Sequence, residues 1–296
     1  MSICRRFVFW LLVGLAAMES RGWATDWSYE LDSSYSFVGG ARTDLSDFKN
    51  IRNGEVTEQN SRFHFVATPQ LTDSVLLRLG GEWQRYSFGL PASAPIPNTL
   101  QSTSLVVGMD VQAFGSWLFR LEATPGFYSG SNHFDGRDFN VPFVLGGTYI
   151  AGPDLLWVLG VQVDINSRYP VLPGAGVRWK FAEKWVLNGI FPNPRLEYSL
   201  RKSLTLYTGV DLKMSSYRLD KNFGTIHNAK VLDGTYMDYT ELRVGVGLSG
   251  KVYRSFTLEL EGGYMPYRDF DYHNNSLNPQ TINGAPYGQI SLSSRF

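Results

Sequence analysis

A single cysteine, Cys4, is all the thiol chemistry that this 296-residue sequence holds. That excludes a disulfide-stapled scaffold and a thiolate-ligated metal centre. Net charge is missing too, because 27 basic residues balance 27 acidic ones. A nucleic-acid binder needs a basic surface to meet phosphates, so that class is set aside. No apolar run reaches the roughly 20 residues of a membrane-crossing helix, and no stretch repeats its apolar residues at helical spacing. What the sequence does have is aromatics, 15% of it, and 30 glycines. Its mean hydropathy is nonetheless −0.17. So many rings need something to pack against, which speaks against disorder.

Residues 1–24 read as an export signal. Arg5 and Arg6 precede the 12-residue apolar run Phe7–Met18, and Gly22 and Ala24 are small residues before a cleavage point. That is the grammar of a secretory signal peptide. Residues 25–296 are then the mature domain, with no linker inside it.

The mature chain alternates with period two. Leu105, Val107, Met109 and Val111 oppose Ser104, Gly108, Asp110 and Gln112, and Leu242, Val244, Val246 and Leu248 oppose Glu241, Arg243, Gly245 and Gly247. Successive strand residues face opposite sides, so each segment has one apolar and one polar face. The expected strands are 26–39, 56–69, 74–88, 100–113, 117–129, 139–151, 155–166, 173–181, 185–191, 195–200, 203–218, 236–249, 256–270 and 285–296. Pro192-Asn193-Pro194 is the exception among the connectors, where two short strands could instead be one irregular segment. The expectation is an all-β, transmembrane, antiparallel up-and-down β-barrel of about 14 strands, with 12 as the alternative.

Long strands, short turns alternating with long loops, and aromatic placement separate this from a soluble sandwich. Trp27, Trp117, Trp157, Trp179, Phe181, Trp185, Phe256 and Phe296 cluster at the short-turn end. Tyr35, Phe37, Trp83, Tyr86, Phe127, Phe143, Tyr217, Tyr239 and Tyr264 lie toward the other, as two girdles in the headgroup regions would. The chain ends in a strand at Phe296, with Ile290 and Leu292 on its parity. This resembles the C-terminal signal that the barrel assembly machinery reads in bacterial outer-membrane proteins. The expected surroundings are outer-membrane lipid.

Five stretches carry a further resemblance: Ser167–Phe181, Pro194–Leu200, Leu204–Leu219, Asp238–Gly247 and Gly262–Tyr272. They resemble an uncharacterised family of bacterial outer-membrane β-barrel proteins, a domain of unknown function. The resemblance implies fold and location and assigns no activity.

Chemical motifs give little. Gly245–Gly250 fits GxGxxG, but dinucleotide binding needs a strand, that turn and then a helix, and here another strand follows. His64, His133, His227 and His273 share no ligand spacing, and no HExxH occurs. Asp271 and His273 are near enough to suggest an acid–base pair, although solvated loop residues explain them better. No catalytic, cofactor or metal residue is assigned, and no enzyme is expected.

The inward parity is more informative. It carries the acids Glu30, Asp32, Glu82, Asp110, Glu122, Asp164, Glu197, Asp211, Glu241, Glu259 and Glu261. Against them stand Arg78, Arg120, Arg178, Lys180, Arg195, Lys213, Arg243 and Arg295, for a net of −3. Such a set either compensates itself in a filled lumen or lines a cation-favouring channel. Three functions stay open: a narrow channel or small-solute transporter, a structural or surface barrel acting through loops 220–235 and 271–284, and an outer-membrane hydrolase.

Overall fold

The computed structural model describes residues 27–46, 48, 53–91, 94–273 and 277–296. The expected signal peptide, residues 1–24, lies outside them. The strands are β1 Trp27–Asp44, β2 Gly54–Thr72, β3 Val75–Gly89 and β4 Thr99–Ala113. Next come β5 (Trp117–Ala123 and Gly126–Ser129), β6 (Phe139–Asn140 and Phe143–Gly152), β7 Leu155–Val163 and β8 Val171–Ala182. The rest are β9 Trp185–Asn188, β10 Arg195–Arg201, β11 Leu204–Arg218, β12 Tyr236–Tyr253, β13 Phe256–Asp271 and β14 (Gln280–Thr281 and Ala285–Arg295).

Each strand pairs antiparallel with its sequence neighbours, and β1 pairs with β14 from Glu30 opposite Arg295 to Val38 opposite Tyr287. The sheet is therefore a closed 14-stranded barrel. Closure pairs every strand with both of its neighbours over part of its length, which matters because lipid offers backbone groups no hydrogen bonds.

The outer wall is the apolar parity. Leu105, Leu121, Leu145, Leu159, Val246 and Ile290 are all exposed on it. The short-turn girdle is built of runs of touching rings: Trp117 stacks on Phe119 with centroids 5.6 Å apart and meets Tyr149 at 5.2 Å. Trp179, Phe181, Trp185 and Tyr198 form a second run. Phe296 packs on Tyr29 at 5.5 Å, and their backbones exchange two hydrogen bonds.

Several expectations change here. The segments 117–129 and 139–151 are each interrupted, at 124–125 and at 141–142. Pro125 and Pro142 have no N–H to give the ladder, yet their carbonyls still accept from Leu105 and Thr124. β9 ends at Asn188, short of the expected 191. Tyr86, Tyr217 and Tyr239 do not join the far girdle. They share the parity of Glu82, Lys213 and Glu241 and are buried inside the barrel.

Two bulges shift parity. Between Val38 and Ala41 the β1–β2 register slips, so Val38 and Ala41 both face inward and are fully buried. Between Leu242 and Val244 the β13 partners slip from Tyr267 to Tyr264, which turns Arg268 and Phe270 to the inside.

Above the membrane band the inside is filled. Leu45, Phe88, Ile96, Tyr217, Phe223, Leu232, Met237 and Phe270 belong to one buried cluster, contributed by strand ends and by residues that follow β1, β3 and β11. The long loops thus fold inward as an apolar plug.

Candidate functional site

The lumen has three levels. At the plug's underside lies a buried ionic cluster. Glu58 Oε1 stands 3.0 Å from Arg243 Nη2, and Glu58 Oε2 stands 3.5 Å from Arg268 Nε. Glu241 pairs with Arg243 Nε and faces Arg268 Nε at 3.8 Å. Tyr239 Oη lies 2.6 Å from Glu58 and 2.7 Å from Glu241. All four charged side chains are 0% exposed. Two carboxylates against two guanidiniums leave no net charge there, which is what makes such burial tolerable. Lys213 Nζ approaches Glu241 from below at 4.0 Å.

Below this the charged residues pair sideways along the wall. Arg78 Nε donates to Glu122 at 2.7 Å and Arg78 Nη2 to Glu30 at 3.1 Å. Arg120 holds Asp110 through two bonds of 2.7 and 2.8 Å. Glu82 accepts two bonds from Arg62 and faces His64 Nδ1 at 3.0 Å. Arg195 pairs with Glu259 at 3.3 Å and approaches Glu261 at 3.8 Å. The hydroxyls of Tyr207 and Tyr287 both donate to Glu261. Arg178 and Glu197 face the lumen by register but have no ion pair among the described residues.

The expected lumen residues therefore fall into separate groups. Arg78, Arg120 and Glu122 form one, Glu82 another, Arg195, Glu259 and Glu261 a third, and Glu241 with Arg243 the plug cluster. Sequence reading missed Glu58, Arg62 and Arg268. The first two share the parity of His64, a signal that was available. Arg268 lies beyond the β13 bulge, where strict alternation from Glu261 puts it on the wrong face.

The glycines of Gly245–Gly250 have a packing role within β12. A Cβ on Gly245 would stand 2.2 Å from the Tyr287 hydroxyl, and one on Gly247 would stand 2.4 Å from the Tyr207 ring. These glycines make room for the two phenols that reach Glu261.

Side-to-side pairing leaves space. A polar cavity of about 690 Å³ is bounded by Asp32, Arg62, Glu82, Arg195, Lys213 and Arg295. A second, mainly apolar cavity of about 600 Å³ lies against β6, β7 and β8, with Asp110 and Arg120 on its margin. Pro192, Leu212 and Met214 border both.

A polar latch sits above the second cavity. Asp238 accepts from Ser216 Oγ at 2.6 Å, Ser167 Oγ at 2.9 Å and the Arg168 backbone N–H at 2.8 Å. The His273 imidazole faces Asp238 at 3.2 Å, and Arg168 pairs with Asp271 at 2.7 Å. Hydrogen bonding to Asp238 holds the His273 imidazole above its ordinary range, against the opposing effect of burial. Asp271 and His273 thus serve a loop contact. Among the described residues no group of three or more His, Cys, Asp or Glu is placed to hold a metal ion.

Three solved structures are similar to the chain at low sequence identity. The COG4313 outer membrane channel from Pseudomonas putida F1 is 11% identical, with 94% of this chain and 99% of that one covered and a TM-score of 0.49. The P. putida toluene transporter TodX is 10% identical, covering 92% and 91%, with a TM-score of 0.44. The KdgM porin in complex with disordered oligogalacturonate is 10% identical, covering 90% and 99%, with a TM-score of 0.36. No match to the sequence is found among curated proteins. A family model does match, over residues 91–283, and it includes β4 to β13 and both cavities' shared border at Pro192, Leu212 and Met214; the chain belongs to the family described as Domain of unknown function (DUF6268).

Proposed function

We propose that the protein is a passive outer-membrane channel for small solutes, not an enzyme, with a lumen open toward the periplasm and closed outward by its own loops. One observation carries this reading: two adjoining cavities lie beneath a plug whose ionic residues are wholly buried. Barrels of about eight strands fill their interiors with side chains and those of about 16–18 leave aqueous channels; this 14-stranded barrel keeps space inside. In the same reading residues 1–24 export the chain and Phe296 is the signal read by the barrel assembly machinery.

Solute flux into liposomes carrying refolded protein tests it. Wild-type protein is expected to pass solutes slowly, and protein lacking loop residues 221–233 faster. Liposomes as tight as protein-free ones in both cases would overturn the reading.

A specific observation favours a second role for the surface. Ile226 and Val231 project from the 219–235 loop at 72% and 59% exposure, an apolar tip suited to a partner. Exchanging them for Ser should then abolish a binding phenotype and leave flux unchanged.

A further inference from the structure

The barrel wall is interrupted on one side. β9 stops at Asn188, opposite Arg178, so residues 171–176 of β8 have no strand on their β9 side among the described residues. β10 starts at Arg195, opposite Gly209. Residues 213–217 of β11 likewise have no strand on their β10 side, until Arg218 meets Ser129 of β5. Among the described residues, the 189–194 turn connects these two edges. It is tied down by Gly189 N–H to Val177 O at 2.8 Å and by Leu212 N–H to Pro192 O at 3.2 Å. Overhead, the 164–170 loop crosses from β7 to the Asp238 latch on β12. The result is a notch with two sides, a sill and a lintel.

Its height places it against lipid. At about 3.3 Å per residue and a tilt near 45°, Gly176 stands about 7 Å above the girdle residue Trp179. Val171 stands about 19 Å above it, within an apolar band about 25 Å tall. Open strand edges at that depth are tolerated only where they line a water-filled cavity or are buried in protein. Here the edges border the apolar cavity: Leu172 and Gly174 line it from β8, Leu212 and Met214 from β11, and Ile190 and Phe191 from the sill.

We propose that this notch is a side door through which small, uncharged apolar molecules pass between the lumen and the outer leaflet. It rests on the channel reading above and adds to it a route and a solute class. The axial way out is filled by the plug, whereas the notch leads to the one large cavity whose lining is mainly apolar among those described. At its margin Asp110 and Arg120 neutralise each other through two bonds, so the cavity offers no unpaired charge to an ionic solute from this pair. Gly146, Gly160 and Gly174 stand in register across β6, β7 and β8 and leave one row of that wall without side chains. A volume of about 600 Å³ lies in the range of small-molecule sites, roughly 300–1,000 Å³.

Gly174 supplies the test. A Cβ there has its nearest neighbours at 4.0 Å, the Gly160 carbonyl and the Phe191 ring, so the first side-chain atom of Gly174→Trp fits without a clash and the added bulk falls on the cavity that Gly174 lines. Met214→Trp obstructs it from the opposite side. Cells producing the full chain are given the apolar fluorophore N-phenyl-1-naphthylamine, and the purified protein is assayed in parallel for ion conductance. Heat-modifiable gel mobility reports folding. The wild type should raise fluorophore uptake several-fold over cells lacking the protein, and either folded Trp variant should remove that gain. An undiminished gain in both folded variants would overturn the side door, as would conductance with no apolar uptake; the channel reading survives both outcomes. Absence of both fluxes overturns the two together.

Discussion

Glu58 on β2 and Arg243 on β12 lie 185 positions apart in sequence and 3.0 Å apart in space, with neither side chain exposed. The two strands are separated around the barrel by β13, β14 and β1, so the contact cuts across the inside of the sheet. It fixes the floor on which the apolar plug rests.

Breaking that contact from one side should be costly. Arg243→Met leaves Glu58 and Glu241 with Arg268 as their one remaining buried guanidinium partner. Loss of one member of a buried pair destabilises by about 3–5 kcal/mol. Urea unfolding in detergent, followed by tryptophan fluorescence, should show that loss. Glu58→Gln combined with Arg243→Met should cost less than the sum of the two single changes, because neither charge is then abandoned.

The inward glycines make a sterically defined prediction. Gly245→Ala puts a Cβ where the Tyr287 hydroxyl now lies, and overpacking of this kind costs about 1–3 kcal/mol. Tyr287→Phe removes the clashing oxygen and should restore part of the loss in the same unfolding assay.

These two sites show where sequence reading stops. Strand number followed from alternation, because lipid outside and charge inside impose a period of two. The buried Arg268 did not, since a bulge in β13 reverses the parity between Glu261 and Arg268. Tyr86, Tyr217 and Tyr239 followed their parity inward, although their position near strand ends suggested a girdle. The notch left one trace, the irregular Pro192-Asn193-Pro194. Two prolines there lack the N–H groups that would have continued β9 or β10. The cavity beside it depends on which strands fail to meet, which is a property of the closed barrel and of no local stretch.

The latch should respond to pH. His273 gains a partner in Asp238, with Asp271 and Arg168 also facing it. A raised imidazole value in the folded state means its stabilisation is complete below the unfolded value of about 6.5. It is lost as pH climbs through the raised folded value. Hydrogen exchange of residues 164–170 should therefore be slower at pH 5.5 than at pH 8.5, beyond the intrinsic rate difference. In His273→Gln that excess should vanish.

Removing the anchor itself should act at every pH. Asp238→Ala deletes the acceptor for Ser167, Ser216 and the Arg168 N–H. The 164–170 loop should then become a preferred site of limited proteolysis while the barrel keeps its heat-modifiable mobility.

In the channel proposed above, the lumen is reached from the periplasm and sealed outward. Cys4 is the only cysteine and precedes the described residues, so one introduced thiol can report access. Ser291 lines the polar cavity below the buried cluster. Ser291→Cys, probed with a charged, membrane-impermeant maleimide, should react when the reagent is admitted to the periplasm and stay unlabelled when it is added outside intact cells. Equal labelling from both sides would contradict the account.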